Sequence, residues 1–119
     1  MKMLISMVLV MFSFTLTSVS AHASERAEQG WRLVEQGALL IDVRTPQEFA
    51  AGHLEHARNY PLSEFVSHVA LIDKSQPIVV YCRSGNRSGK AFDYLISQGY
   101  TQVHNAGGLE EMRSVQRGE

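Results

Sequence analysis

Ile78-Val79-Val80-Tyr81-Cys82-Arg83-Ser84-Gly85-Asn86-Arg87-Ser88 is the stretch on which the fold turns. Pro77 to Tyr81 is a short apolar run rich in β-branched residues, which predicts a strand. Polar residues and a glycine follow, which predicts a loop. A helix then begins at Asn86 or Arg87, with Phe92, Leu95 and Ile96 as its core stripe and Gly99 as its end. A strand, a tight loop and a helix in immediate succession are the repeating unit of an α/β domain.

The rest of the chain alternates in the same way. Ser24 to Gln36 is predicted helical, with Ala27, Trp31 and Val34 on one face, Gly30 interrupting it and Gly37 stopping it. Ala38 to Val43 is a continuous apolar run, as expected of a strand buried on both faces. Thr45-Pro46 starts a turn and a short helix through Glu48, Phe49 and Ala50. Arg58 to Leu62 is a weaker strand. Ser63 is placed to cap a helix carrying Phe65, Val66, Val69 and Ala70 at helical spacing. Thr101 to His104 is the last strand, and Ala106-Gly107-Gly108 forms a turn before a polar C-terminal helix. The expected fold is therefore an α/β domain with a central, mainly parallel sheet flanked by helices.

Composition narrows the function. The chain has 119 residues and a formal net charge of −1, with eleven basic residues against twelve acidic ones. A nucleic-acid partner would need a basic face, and a polybasic membrane contact would need a lysine or arginine cluster; neither is present. Met1 to Ala23 has the form of a cleaved signal peptide. Lys2 is the positive start, Met3 to Leu16 the apolar stretch, and Ala21-His22-Ala23 the small-x-small cleavage site. The apolar run is shorter than the roughly 20 residues that span a bilayer. Residues 24–119 are then a single domain, expected in the periplasm with no membrane attachment after cleavage.

That compartment is oxidising and favours disulfides, yet the chain has one cysteine. Cys82 cannot close an intrachain disulfide, and its position points to reactivity. In parallel sheets ligands bind at the carboxyl ends of strands, and Cys82 lies at such an end. Loop N–H groups and the positive end of the following helix converge there. Arg83 and Arg87 add cationic charge. Each effect favours thiolate, so the thiol pKa is expected below the free value of about 8.5. Gly85 lets the loop curve, Asn86 tolerates a left-handed backbone, and Ser84 and Ser88 offer hydroxyl donors to an anion.

The run from Cys82 to Gly89 resembles the active-site loop of the rhodaneses, the thiosulfate sulfurtransferases. Ile41-Asp42-Val43-Arg44-Thr45-Pro46-Gln47-Glu48-Phe49 with Gly52-His53-Leu54 resembles that family's upstream signature. Asn59-Tyr60-Pro61-Leu62 and Asn105-Ala106-Gly107-Gly108 are similar to later blocks, in the same order. With its export signal, the chain is most similar to the small periplasmic rhodaneses of the phage-shock type. The resemblance implies that Cys82 takes a sulfane sulfur from thiosulfate as a persulfide and passes it to a thiophilic acceptor. Cyanide would serve in assay and a thiol in the cell, with no metal or organic cofactor. It implies that residues Arg83, Ser84, Gly85, Asn86, Arg87 and Ser88 bind the substrate. Asp42 and Arg44 match an Asp-x-Arg pair and take a supporting role, Asp42 steadying the loop and Arg44 pairing with a carboxylate such as Glu48. His56 stands where members often have glycine, and Met112 where many have an aromatic residue. His53, Glu55 and His56 lack the further ligands that a zinc site needs.

Two other readings stay open. Cysteine phosphatases and arsenate reductases also hold a thiolate in an anion cradle, with a Cys-x5-Arg loop; the Cys82-x4-Arg87 loop is tighter and suits a single sulfur. A persulfide carrier with little turnover would use the same loop.

Overall fold

The computed structural model describes residues 21–116 and residue 118. The expected leader, Met1–Ala23, lies outside the described residues apart from its last three. Helix α1 (Ala21–Glu35) leads to strand β1 (Leu39–Asp42), helix α2 (Pro46–Ala51) and strand β2 (Arg58–Asn59). A 3-10 turn (Leu62–Glu64) runs into helix α3 (Phe65–Val69). Strand β3 (Ile78–Cys82), helix α4 (Asn86–Ser97), strand β4 (Val103–Gly108) and helix α5 (Leu109–Gln116) complete the described order. The strands lie in the order β2-β1-β3-β4, and every pairing is parallel.

Strand β3 sits in the interior of the sheet, and all five of its residues are buried. Side chains alternate along a strand, so Ile78, Val80 and Cys82 enter one core with Ile41, Phe65, Val69, Ala91 and Leu95. Val79 and Tyr81 enter the other with Ala27, Leu40, Leu54, Ala106 and Met112. Burial on both faces explains the unbroken apolar run. Each of Ile78, Val79 and Val80 contributes roughly 1.5–3 kcal/mol. The same parity delivers the Cys82 side chain towards α4.

Several expectations change in detail. Thr101 to His104 is too short and too early for the last strand, and Ala106-Gly107-Gly108 is not a free turn. Strand β4 runs on through both glycines, and its register against β3 shifts between Val80 and Tyr81, leaving Ala106 as the extra residue of a bulge. Gly107 takes φ 96° there. A Cβ on Gly108 would run into the Arg83 carbonyl, so this glycine lets the strand end press against the loop after Cys82.

In α4 the buried stripe is Ser88, Ala91 and Leu95, while Ile96 is 48% exposed. Helix α3 is shorter than expected; Phe65 and Val69 are buried and Val66 faces out. No side-chain cap comes from Ser63; the 3-10 turn occupies that place. His56 has φ 67°. The backbone thus keeps the left-handed turn that glycine would supply, with histidine one of the side chains that tolerate it best.

Gly30 has a packing reason. A Cβ built on it would lie 2.7 Å from Ala106 Cβ and 3.3 Å from Met112 Cε. Met112 is fully buried there, and its carbonyl accepts a 2.8 Å hydrogen bond from Trp31 Nε1. It is therefore a packing residue of the α1–α5 contact. Gly30→Ala would gain about 1 kcal/mol of helix propensity, but forcing a methyl into this contact costs about 1–3 kcal/mol. The clash term is expected to win. Urea denaturation of the variant should show a net loss of stability; an unchanged or raised midpoint would contradict the close approach of α1 to β4 and α5.

Candidate active site

Cys82 ends β3, and α4 begins four residues later. In that short span the chain must reverse from extended to helical backbone. Gly85 makes the reversal at φ 97° and ψ −6°, a left-handed conformation that other residues enter at a cost. The result is a cradle around the sulfur. Gly85 N–H donates to Cys82 Sγ at 3.0 Å, and Ser88 Oγ lies 3.3 Å from it. Ser88 is fully buried in the first turn of α4, so its hydroxyl is aimed at the sulfur.

Asn105 on β4 holds this arrangement. Its Nδ2 donates to the Gly85 carbonyl at 3.1 Å. Its Oδ1 accepts from Gly107 N–H at 3.1 Å and from Ser88 Oγ at 2.8 Å. One hydroxyl proton thus serves two acceptors in turn, Asn105 and the sulfur. Burial pushes the Cys82 thiol pKa up. The Ser88 hydroxyl and the N–H groups of Ser88, Ser84 and Gly85 outweigh it, and the net shift is downward. The expected activation is present, and the hydrogen bonds to the sulfur are its largest contributors.

Arg87 is engaged by a carboxylate. Arg87 grips Glu48 with both arms, Nη1 to Oε1 at 2.6 Å and Nη2 to Oε2 at 3.0 Å. Glu48 also accepts from Thr45 N–H and Oγ1 in the capping box that starts α2. The Arg87 hydrogen bonds and then those of Thr45 pull the Glu48 carboxyl down to about 2, against the opposing effect of burial. Glu48 is therefore the partner of Arg87, not of Arg44.

Arg44 belongs to Asp42. Both are buried, and Arg44 Nη2 meets Asp42 Oδ2 at 2.6 Å while its N–H and Nε donate to Oδ1. Arg44 Nη2 also donates to the Gly52 carbonyl at 2.7 Å, and its guanidinium lies 5.9 Å from the Tyr81 ring centroid. The pair fastens the end of β1 to the 52–60 turn. Its hold on the cradle loop is indirect, through Tyr81, whose hydroxyl accepts from Leu54 N–H. Breaking one member of such a buried pair costs about 3–5 kcal/mol, which fits a supporting role.

The remaining predicted residues lie at the rim. Arg83 is exposed and lines an open cleft with Arg44, Glu48, Ala51, Leu109 and Glu110. Ser84 and Asn86 are also exposed; Asn86 is the first residue of α4. His53 is occupied by Phe49, stacked on its ring at 3.6 Å and bonded through Nδ1 to its carbonyl. His56 points to solvent beside Glu55.

Two residues bonded to the cradle loop carried no functional mark in the sequence. Asn105 lay in a block matched only as a motif. Arg26 carried no local signal at all, because it reaches Glu111 and the Ser84 carbonyl from the far end of the chain.

A model of the Rhodanese-like domain family matches residues 26–114. Thiosulfate sulfurtransferase GlpE of Pseudomonas paraeruginosa is 40% identical over 89 residues, which cover 74% of this chain and 81% of that protein. Thiosulfate sulfurtransferase PspE of Escherichia coli is 42% identical over 74 residues, covering 60% and 71%. Among solved structures, a rhodanese with anions from E. coli superposes with a TM-score of 0.57 at 40% identity, over 63% of this chain and 91% of that one. A rhodanese-related protein from Thermoplasma volcanium gives 0.65 at 26% identity, over 77% and 89%.

The depressed thiol has a defined sign. The folded state favours thiolate, so this contribution to stability is full above the unfolded value of about 8.5 and fades as pH falls through the lower folded value. Ser88→Ala removes one donor while burial continues to push upward. The pH midpoint of Cys82 alkylation by iodoacetamide should then rise by about one unit, equivalent to the roughly 1.5 kcal/mol of a hydrogen bond to a charged group. An unmoved midpoint would show that the Ser88 hydroxyl does not serve the thiolate.

Proposed function

The chain belongs to the rhodanese family, and from that premise we infer that it is a thiosulfate sulfurtransferase in which Cys82 carries the sulfur. The observation that supports this best is the Gly85 N–H at 3.0 Å from Cys82 Sγ, in a cradle that lowers the thiol pKa.

The Cys82 thiolate attacks the outer, sulfane sulfur of thiosulfate. A new S–S bond forms to Cys82 as the sulfur–sulfur bond of thiosulfate breaks, and sulfite leaves with the bonding electron pair. The product is an anionic persulfide, whose charge the N–H groups of Ser84, Gly85 and Ser88 compensate. A thiophilic acceptor then attacks the terminal sulfur and restores the thiolate. With cyanide the product is thiocyanate; in the cell the acceptor is a thiol. This is covalent catalysis with two half-reactions. Arg83, exposed at the cleft, supplies charge to attract the dianionic donor. Arg87 acts through Glu48, fixing α4 against α2 so that Ser88 stays aimed at the sulfur. No metal or organic cofactor takes part in these steps.

The loop geometry favours sulfur over phosphate. A phosphatase cradle needs its arginine turned onto the oxyanion, whereas both arms of Arg87 hold a carboxylate. Export to the periplasm is part of the proposal, supported by Lys2, the apolar run and Ala21-His22-Ala23. Among the described residues no helix is long and apolar enough to cross a membrane.

One mass measurement tests both parts. Protein recovered from the periplasm of an expressing bacterium should begin at Ser24. Incubation with thiosulfate should add one sulfur atom, and cyanide should remove it as thiocyanate. Cys82→Ser should gain nothing. A wild-type protein that gains no sulfur but hydrolyses an aryl phosphate would overturn the sulfur-transfer reading, and a retained leader would overturn the export reading.

A further inference from the structure

We propose that Arg26 is a positioning residue of the sulfur cradle, acting on Cys82 through the Ser84–Gly85 peptide. The inference rests on the sulfur-transfer reading and extends it to a helix outside the loop.

A peptide unit is planar and trans, so its C=O and N–H point in opposite directions and move as one body. The unit between Ser84 and Gly85 is gripped at both ends. Its N–H donates to Cys82 Sγ at 3.0 Å. Its carbonyl accepts from Arg26 Nη2 at 3.2 Å. A cation donating to the carbonyl polarises the unit and makes its N–H a stronger donor. It also sets the peptide's rotation, which is the one freedom that decides whether the N–H meets the sulfur.

The guanidinium is itself held. Arg26 Nε and Nη2 bind the two Glu111 carboxylate oxygens at 2.7 and 2.8 Å. Glu111 Oε1 also accepts from Gly108 N–H at 3.3 Å, which fixes it to the end of β4. The backbone beneath is anchored too, since the Arg26 carbonyl bonds to His104 Nε2 at 2.7 Å. The loop leaves room for the side chain. A Cβ on Gly85 would stand 2.9 Å from Arg26 Nη1, and one on Gly107 would stand 2.5 Å from Arg26 Nε. Two left-handed glycines, φ 97° and 96°, thus flank one guanidinium.

Other charges surround Cys82. Arg83 lies in the loop, Arg87 on α4 is met by Glu48 of α2, and Asp42 of β1 is met by Arg44. Glu111 of α5 lies behind Arg26. Among these, Arg26 is the one whose side chain bonds to the peptide touching the sulfur.

The test follows the pH midpoint of Cys82 alkylation in the wild type and in Arg26→Gln, Arg26→Lys and Trp31→Phe. Thiosulfate loading of the wild type is weighed in parallel. Arg26→Gln should raise the midpoint by about 0.5–1 unit, as loss of a nearby cationic donor does. Arg26→Lys, which keeps the charge but not the fork, should fall between Gln and wild type. Trp31→Phe weakens the same α1–α5 contact by removing the bond to Met112 and should leave the midpoint in place. Should Arg26→Gln not fold, the Lys variant against Trp31→Phe decides alone. An Arg26→Gln midpoint equal to wild type, a Lys variant no closer to wild type than Gln, or a Trp31→Phe shift as large as either would overturn the proposal. A wild type that takes up no sulfur would instead fail the underlying reading, whatever the midpoints do.

Discussion

Burial and negative charge are opposed at the Cys82 sulfur, and the elements around it bear on that opposition. Burial alone drives Cys82 towards the neutral thiol. Donors aimed at the sulfur do most to reverse the balance, and a backbone N–H can be aimed only if the chain curves sharply just after the strand. Gly85 at φ 97° makes the curve, and α4 starts at once behind it. Ser88 then falls within the first turn of α4, on the face that the helix turns to the sheet. Strand end, glycine, helix start and buried serine therefore follow from one electrostatic demand.

The surrounding elements hold the cradle in shape. Asn105 ties β4 to both Gly85 and Ser88. The Glu48–Arg87 pair ties α2 to α4, and Asp42–Arg44 locks the β1 end beneath them. None of these polar groups is left without a partner among the described buried side chains. Preorganised donors lose no energy to rearrangement when charge moves between thiolate and persulfide. That suits the sulfur transfer proposed for Cys82, in which the charge alternates between two sulfur anions.

The apolar strand of residues 78–81, its parity and the helix after it were legible because burial on two faces and helix periodicity leave local marks. So was Cys82 as a strand-end thiol. What escaped depended on partners distant in sequence. Gly107 and Gly108 look like a turn, yet here they shape a bulge and admit the Arg83 carbonyl. Ser88 heads the buried stripe of α4, but its polarity hid it from an apolar count and moved the expected face towards Ile96. Glu48 stands four residues from Arg44 in sequence, yet it meets Arg87 from 39 residues away, because Asp42 already occupies Arg44. The contact of Arg26 with Glu111 spans nearly the whole domain, and nothing near either residue announces it.

The central claim is that the Gly85 N–H bonds to a Cys82 thiolate that forms below its ordinary range. The most direct measurement is a pH titration of the Gly85 amide resonance in the isotopically labelled protein. Its proton should move downfield as the sulfur ionises, with a midpoint below about 8.5, and Cys82→Ser should abolish the transition. A Gly85 amide that does not titrate, or one with a midpoint at or above that value, would contradict the account.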